Sequence, residues 1–162
     1  MVIAIGCVRR GFRAKLQVAE FLRQRSHEVE DFGCDGAAAT VASSDLMRGL
    51  VSSLNRIRGN LAILVGRDGA GLCIAANKLR GLRAVVADDE WTAANARERY
   101  GCNVLCIGAE RHGPQELNQI VAGFLAASAY DRRDTQLEHE LMEIEAATEA
   151  NTVHCPARFA QL

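Results

Sequence analysis

Two apolar periods alternate along this chain. Val2-Ile3-Ala4-Ile5-Gly6 is an unbroken apolar run, the mark of a buried strand. From Gly11 to Arg25 the spacing becomes helical, with Leu16, Ala19, Phe21 and Leu22 on one side and arginine and glutamine across much of the other. His27 to Phe32 predicts a second strand, ended by Gly33. Residues 36–43 form a small-residue loop, and Ser44 or Asp45 can cap a helix over about 45–58. Leu61–Val65 predicts the third strand and Ala70–Leu79 its helix. Leu82–Val86 is the fourth strand, and Asp88 is placed to cap a helix through about Arg99. Asn103–Ile107 is the fifth strand. Gly113-Pro114 opens a helix to about Ala129, with proline at a first-turn position where its missing N–H does no harm.

Strands alternating with helices imply a parallel sheet covered on both faces. The expected fold is therefore α/β: a three-layer, Rossmann-like domain with a five-stranded parallel sheet. Ligands of such sheets bind beyond the carboxyl ends of the strands, where the strand order reverses. Residues 1–130 read as this domain. In 131–150, Leu137, Leu141 and Ile144 recur at i, i+4 and i+7, and five glutamates lie between Glu138 and Glu149. That is a C-terminal amphipathic helix, its stripe expected to pack on a neighbouring subunit or back on the domain, its glutamates in solvent. Residues 151–162 lack periodicity and read as a loose tail.

Composition narrows the function. A chain of 162 residues buries roughly 68–70% of its unfolded surface, enough for one real core. Formal net charge is −1, which argues against a nucleic-acid partner. Met1 to Cys7 is too short and wrongly flanked for a signal segment, and no run reaches membrane-spanning length. Cys7, Cys34, Cys73, Cys102, Cys106 and Cys155 show no C-x-x-C or zinc spacing, so a reducing cytoplasm and no metal are expected. The lysines are only Lys15 and Lys78, the other cations being arginines, whose planar fork grips oxyanions.

The stretch Leu64-Val65-Gly66-Arg67-Asp68-Gly69-Ala70-Gly71 joins a strand to a helix through a glycine loop, which is how a fold presents backbone amides to an anion. Around it stand Ile3-Ala4-Ile5-Gly6-Cys7, Glu28-Val29-Glu30-Asp31-Phe32-Gly33, Ile74-Ala75-Ala76-Asn77-Lys78, Gly81-Leu82-Arg83-Ala84 and Asn103-Val104-Leu105. In that order they resemble the ribose-5-phosphate isomerase B / galactose-6-phosphate isomerase family, in register from residue 1 to about 130. The I-A-A-N-K run is the most specific part. The resemblance implies a dimer or tetramer with active sites shared between subunits, interconverting aldose and ketose phosphates without a cofactor or metal through an enediolate.

Departures from that family's pattern fall on its chemistry. The usual first loop, G-C-D-H-A-G, is here Gly6-Cys7-Val8-Arg9-Arg10-Gly11. The usual C-G-T-G-x-G places the proton-shuttling cysteine where this chain has Gly66. The family's ring-opening histidine and following asparagine fall on Arg99 and Tyr100, and a substrate-facing tyrosine on Ser43. The arginine of the turn after the fifth strand becomes Glu110, with Arg111 beside it; Arg133 matches a phosphate-binding arginine. Asp68 is the candidate replacement base, although a helix start and Arg67 should stabilise its anion, and helix capping is its plainer role. Cys73 is expected to face the core. Arg9, Arg10, Arg67 and Arg99 are expected on converging loops, with Arg133 from a neighbour; with Gly69, Ala70, Gly71 and Tyr100 they would bind an anionic sugar phosphate. The plainer reading pairs these arginines with Asp68, Asp88, Asp89 and Glu90. Trp91 reads as core, His112 as an exposed turn residue, and His27, His139 and His154 lie away from the cleft. The partner expected besides the sugar is a second copy or an active paralogue.

Overall fold

A computed structural model describes residues 1–36, 42–56, 60–127 and 135–150. The tail 151–162, the segment with Arg132, Arg133 and Asp134, and Cys155 lie outside the described residues. The elements are β1 (Val2–Cys7), a 3-10 turn (Arg9–Gly11), α1 (Phe12–Gln24), β2 (Glu28–Asp31), α2 (Ser43–Arg56), β3 (Leu61–Gly66), α3 (Ala70–Ala76), β4 (Ala84–Val86), α4 (Glu90–Tyr100), β5 (Val104–Gly108), α5 (Pro114–Ala126) and α6 (Thr135–Ala150). The strands form one parallel sheet in the order β2-β1-β3-β5-β4. From β1 the chain adds β2 on one side, then crosses back to add β3 on the other. The switch in strand order thus lies between β1 and β3.

The two-residue period of the strands divides the core. Ile3, Ile5, Ile63, Val65, Leu105 and Ile107 pack with Val18, Leu22, Ala93, Val121 and Phe124 of α1, α4 and α5. Ala4, Ala62, Leu64, Val104 and Cys106 face the opposite way, onto Leu46 and Leu50 of α2 and Leu72 and Ala76 of α3. Both sheet faces are covered, which is why β3 and β5 read as continuous apolar runs rather than alternating ones. Among the described residues no helix is long and apolar enough to cross a membrane.

Several sequence expectations shift. In α1 the buried stripe is Lys15, Val18, Ala19, Phe21 and Leu22, whereas Leu16 is 48% exposed. Lys15, at 1% exposure, is buried with its ammonium partnered: it pairs with Asp31 at 2.7 Å and donates to the Cys34 carbonyl at 2.9 Å. The cap of α4 is Asp89, not Asp88, its carboxylate accepting from the Thr92 N–H at 2.7 Å. Trp91 is no core residue; it is 72% exposed on the first turn of α4.

α3 ends at Ala76 instead of Leu79 because the next residue leaves the helix to serve the sheet. Asn77 Nδ2 donates to the Ala84 carbonyl at 2.9 Å, and the Ala84 N–H donates back to Asn77 Oδ1 at 2.8 Å. Asn103 binds the residues just before, accepting from Arg83 N–H and donating to the Gly81 carbonyl, both at 2.8 Å. Two side-chain amides thus replace ladder bonds and hold β4 to three residues. α6 docks back on this segment, Glu145 accepting from the Gly81 N–H at 2.9 Å, while Met142 and Ile144 remain exposed.

Candidate functional site

The carboxyl ends of β1, β3 and β5 lie side by side, so their loops meet. The loop after β5 supports the loop after β3: Ala109 N–H donates to the Gly66 carbonyl at 2.8 Å and Glu110 N–H to the Arg67 carbonyl at 3.1 Å. Gly69 turns the chain into α3 with φ +80°, a left-handed conformation that favours glycine, and a Cβ there would meet the β5 backbone at 3.3 Å. The result is a cleft of about 390 Å³ at the switch point, lined by Val8 and residues 66–72.

Asp68 lies in this lining, yet its carboxylate is committed. Oδ1 accepts from the Ala70 N–H at 3.0 Å, and Oδ2 pairs with Arg67 at 3.3 Å. Those contacts, the Ala70 amide first, hold its carboxyl below the usual carboxylate range. The N-cap of α3 is Gly69 rather than Asp68, whose carboxylate nonetheless serves the first helical amide; a proton acceptor so stabilised is a weak base. Gly66 holds the position at which the family pattern has a thiol. Its backbone is not in the left-handed region, and a Cβ there would meet only Leu72 Cδ1 at 3.2 Å and Gly69 N at 3.5 Å. Glycine at 66 is therefore not demanded by the turn. Gly71, in the first turn of α3, has nothing within 4 Å of a notional Cβ; it faces open cleft.

The expected convergence of arginines is met only in part. Arg67 lines the cleft. Arg9 is exposed on the 3-10 turn directly after Val8. Arg10 pairs with Glu110 at 2.8 Å, linking the loops after β1 and β5. Arg99 and Tyr100 stand elsewhere. α4 leaves the carboxyl end of β4 and runs back to the amino ends of the strands, so its last turn lies roughly 15 Å away along the helix axis. There Tyr100 lines a different cleft of about 500 Å³, with Asn77, Gly81, Cys102 and, from α6, Leu141 and Met142. One chain does not bring Arg99 and Tyr100 to the glycine loop. Arg133 lies outside the described residues, and Ser43 begins α2.

The cysteines are also placed. Cys73 is half-buried on α3 and directs its thiol to the Ala84 carbonyl at 3.4 Å, toward β4 and β5 and outside the cleft lining. A hydrogen bond from Cys106 brings it down to about 7, against the opposing effect of burial. Cys7 and Cys34 are fully buried with their sulfurs 3.2 Å apart. One cluster escaped the sequence. His112 is no exposed turn residue: its side chain is 9% exposed and its Nε2 lies 3.1 Å from Asp88 Oδ1, while Arg111 takes the other Asp88 oxygen at 3.1 Å. Only the adjacency of β4 and β5 could have foretold a contact between residues 88 and 112. Among the described residues no group of three or more His, Cys, Asp and Glu side chains is arranged to hold a metal.

A doubly covered parallel sheet with a glycine-loop cleft at its switch point is the architecture of a small-molecule-binding α/β protein. More narrowly, residues 3–141 match the ribose/galactose isomerase family, and the chain belongs to it. It is 29% identical over 125 residues to the D-erythrulose-4-phosphate isomerase of Pectobacterium atrosepticum, covering 77% of this chain and 82% of that one. It is 29% identical over 145 residues to the galactose-6-phosphate isomerase subunit LacA 1 of Streptococcus pyogenes, covering 88% and 97%. The solved ribose-5-phosphate isomerase B of Clostridium thermocellum superposes with a TM-score of 0.84 at 31% identity, over 91% of this chain and 99% of that one.

Proposed function

We propose that this protein binds a phosphorylated sugar in the Val8/Gly66–Leu72 cleft and, alone, has little or no ribose-5-phosphate isomerase activity. The observation that carries this reading is the lining itself. Its side chains offer one guanidinium and one committed carboxylate, and no thiol or imidazole. Aldose–ketose isomerisation needs a base beside the carbon-bound proton and donors for the enediolate oxygens. Backbone amides at Gly69 and Gly71 can supply donors, and Arg67 and Arg9 can meet an anionic group. Among the described residues of the lining, none is a base of suitable pKa. The site is completed by a second chain, in a homodimer or homotetramer working in the cytoplasm. Arg99, Tyr100 and Arg133 of one copy then meet the glycine loop of another, since one chain keeps Arg99 and Tyr100 at the far end of the sheet.

A second reading is a subunit of a heteromeric isomerase. It is favoured by the likeness to a LacA subunit over nearly that protein's whole length. An active enzyme in which Asp68 or a cysteine acts as the base is the third reading, and the low basicity of Asp68 weighs against it. The test is paired. Turnover of ribose 5-phosphate, galactose 6-phosphate and erythrulose 4-phosphate is measured on the purified chain, and melting temperature is followed with each sugar. The expected result is no turnover above background and a melting temperature raised at millimolar sugar by linkage. Turnover at ordinary enzyme rates overturns the inactive reading; the absence of any shift overturns the binding one.

A further inference from the structure

Behind the cleft lies a pair of thiols that sugar binding does not use. Cys7 ends β1 one residue before Val8, which lines the cleft. Cys34 lies in the loop beyond β2. Both are 0% exposed, and their sulfurs are 3.2 Å apart, in hydrogen-bonding contact. Three elements hold the pair. The Lys15 ammonium on α1 fixes the Cys34 carbonyl at 2.9 Å and Asp31 at 2.7 Å. Gly33 packs so tightly on β1 that a Cβ there would stand 2.7 Å from the Cys7 nitrogen. A disulfide sulfur pair is about 2.04 Å apart, so closure takes a sulfur movement of about 1 Å.

We propose that Cys7 and Cys34 form a reversible disulfide that latches the loop after β2 to the cleft end of β1. The oxidant is hydrogen peroxide, small enough to reach a buried pair. The Cys34 sulfur attacks one peroxide oxygen, the O–O bond breaks, and the Cys34 proton passes to the departing hydroxide, giving water. Cys34 is left as a sulfenic acid. The Cys7 sulfur then attacks that sulfur; the S–S bond forms, the S–O bond breaks, and the Cys7 proton leaves with the hydroxide as a second water. Two thiols have lost two electrons and two protons, and peroxide has become two waters. Burial, first, pushes the Cys7 thiol up to about 12; with the two sulfurs in contact, the same disulfide forms if they exchange roles. The bond closes a loop of 27 residue steps in the unfolded chain.

The experiment treats the purified protein with hydrogen peroxide, blocks remaining thiols, and maps cross-links by mass spectrometry of an unreduced digest. The expected result is a Cys7–Cys34 peptide pair and a melting temperature raised by about 5–10 °C. Dithiothreitol should reverse both. Cys73→Ser should keep both, and Cys34→Ser should lose both; should Cys34→Ser fail to fold, the wild-type map decides. Free Cys7 and Cys34 after full oxidation of the more accessible Cys73 overturn the proposal. So do a cross-link from either to another cysteine, and a Cys7–Cys34 bond that leaves the melting temperature unchanged.

Discussion

At its amino end α3 meets a loop whose side chains have departed from the family pattern, with glycine for cysteine at 66 and aspartate for threonine at 68. At its carboxyl end, seven residues on, Asn77 still closes both of its hydrogen bonds on Ala84. The two ends belong to one short helix and yet answer to different constraints. The carboxyl end holds an edge strand in place through both hydrogen bonds of Asn77. The amino end bears on what the cleft does, and its backbone at 66 does not require glycine. Family resemblance in this chain is therefore carried largely by scaffold residues, and it transfers the fold more securely than the reaction.

The sharpest way to break that comparison is to restore the amino end. Gly66→Cys combined with Val8→Asp, Arg9→His and Arg99→His should raise ribose-5-phosphate turnover at least about 100-fold over the parent, the usual scale of one well-placed general base. The backbone permits it, since a Cβ at 66 presses only on the end of the Leu72 side chain and on Gly69 N. A coupled spectrophotometric assay reads the result. If turnover stays at background while the fold is intact, the loss extends beyond the missing groups to the geometry of the cleft.

Breaking the carboxyl end should unfold rather than inactivate. Asn77→Ala leaves the Ala84 N–H and carbonyl without their side-chain partners and opens the edge of β4, at about 2 kcal/mol. In a chain of this size that lowers the melting temperature by about 4–8 °C. Calorimetry decides, and a change under 1 °C would mean that β4 is held by Asn103 alone.

How far each end was legible follows from the same contrast. β1, β3 and β5 stand out because they are buried on both faces and carry unbroken apolar runs. Asn77 and Asn103 carried family resemblance, but their role as clamps could not be read, because each bonds a backbone segment fixed only by the sheet. The Lys15 burial could not be read for a similar reason: helical periodicity ranks side chains by polarity, and the ammonium's partners come from β2 and its loop. Arg99 was expected at the cleft because it falls on the family's ring-opening histidine, but α4 carries it to the opposite end of the sheet within one chain. Asp68 was nearly read, since its contact with the Ala70 amide lies two residues away and needs nothing distant, but the cap itself is Gly69. Trp91 and His112 were misread in opposite directions, both for want of knowing what packs beside the turns.

A smaller effect separates stability from binding inside the amino end. Gly71 sits in a helix with open space where its side chain would be. Gly71→Ala should stabilise the free protein by about 0.5–1 kcal/mol, because glycine is the poorer helix former. The added methyl group points into the cleft, so the sugar-phosphate-induced rise in melting temperature should shrink. A variant that gains stability and keeps the full ligand shift would place the ligand elsewhere.

The smallest expected effect lies at Asp68. Its carboxyl is held below the ordinary range by the Ala70 amide and by Arg67. A group depressed on folding contributes stability that is complete above its unfolded pKa, near 3.8, and is lost as pH falls through the lower folded value. Acid unfolding of Asp68→Thr should thus begin at the same pH as wild type or slightly lower, and the two proteins should behave alike at neutral pH, where a threonine hydroxyl can still cap Ala70. Binding should move the other way. The carboxylate adds negative charge to a cleft proposed to take a phosphate ester, so its removal should tighten sugar-phosphate affinity by about two- to five-fold at low salt, and by less as screening grows. Isothermal titration with sugar phosphate at two ionic strengths measures both. Weaker binding in Asp68→Thr would mean that the carboxylate accepts a sugar hydroxyl, and that the phosphate is held away from the glycine loop.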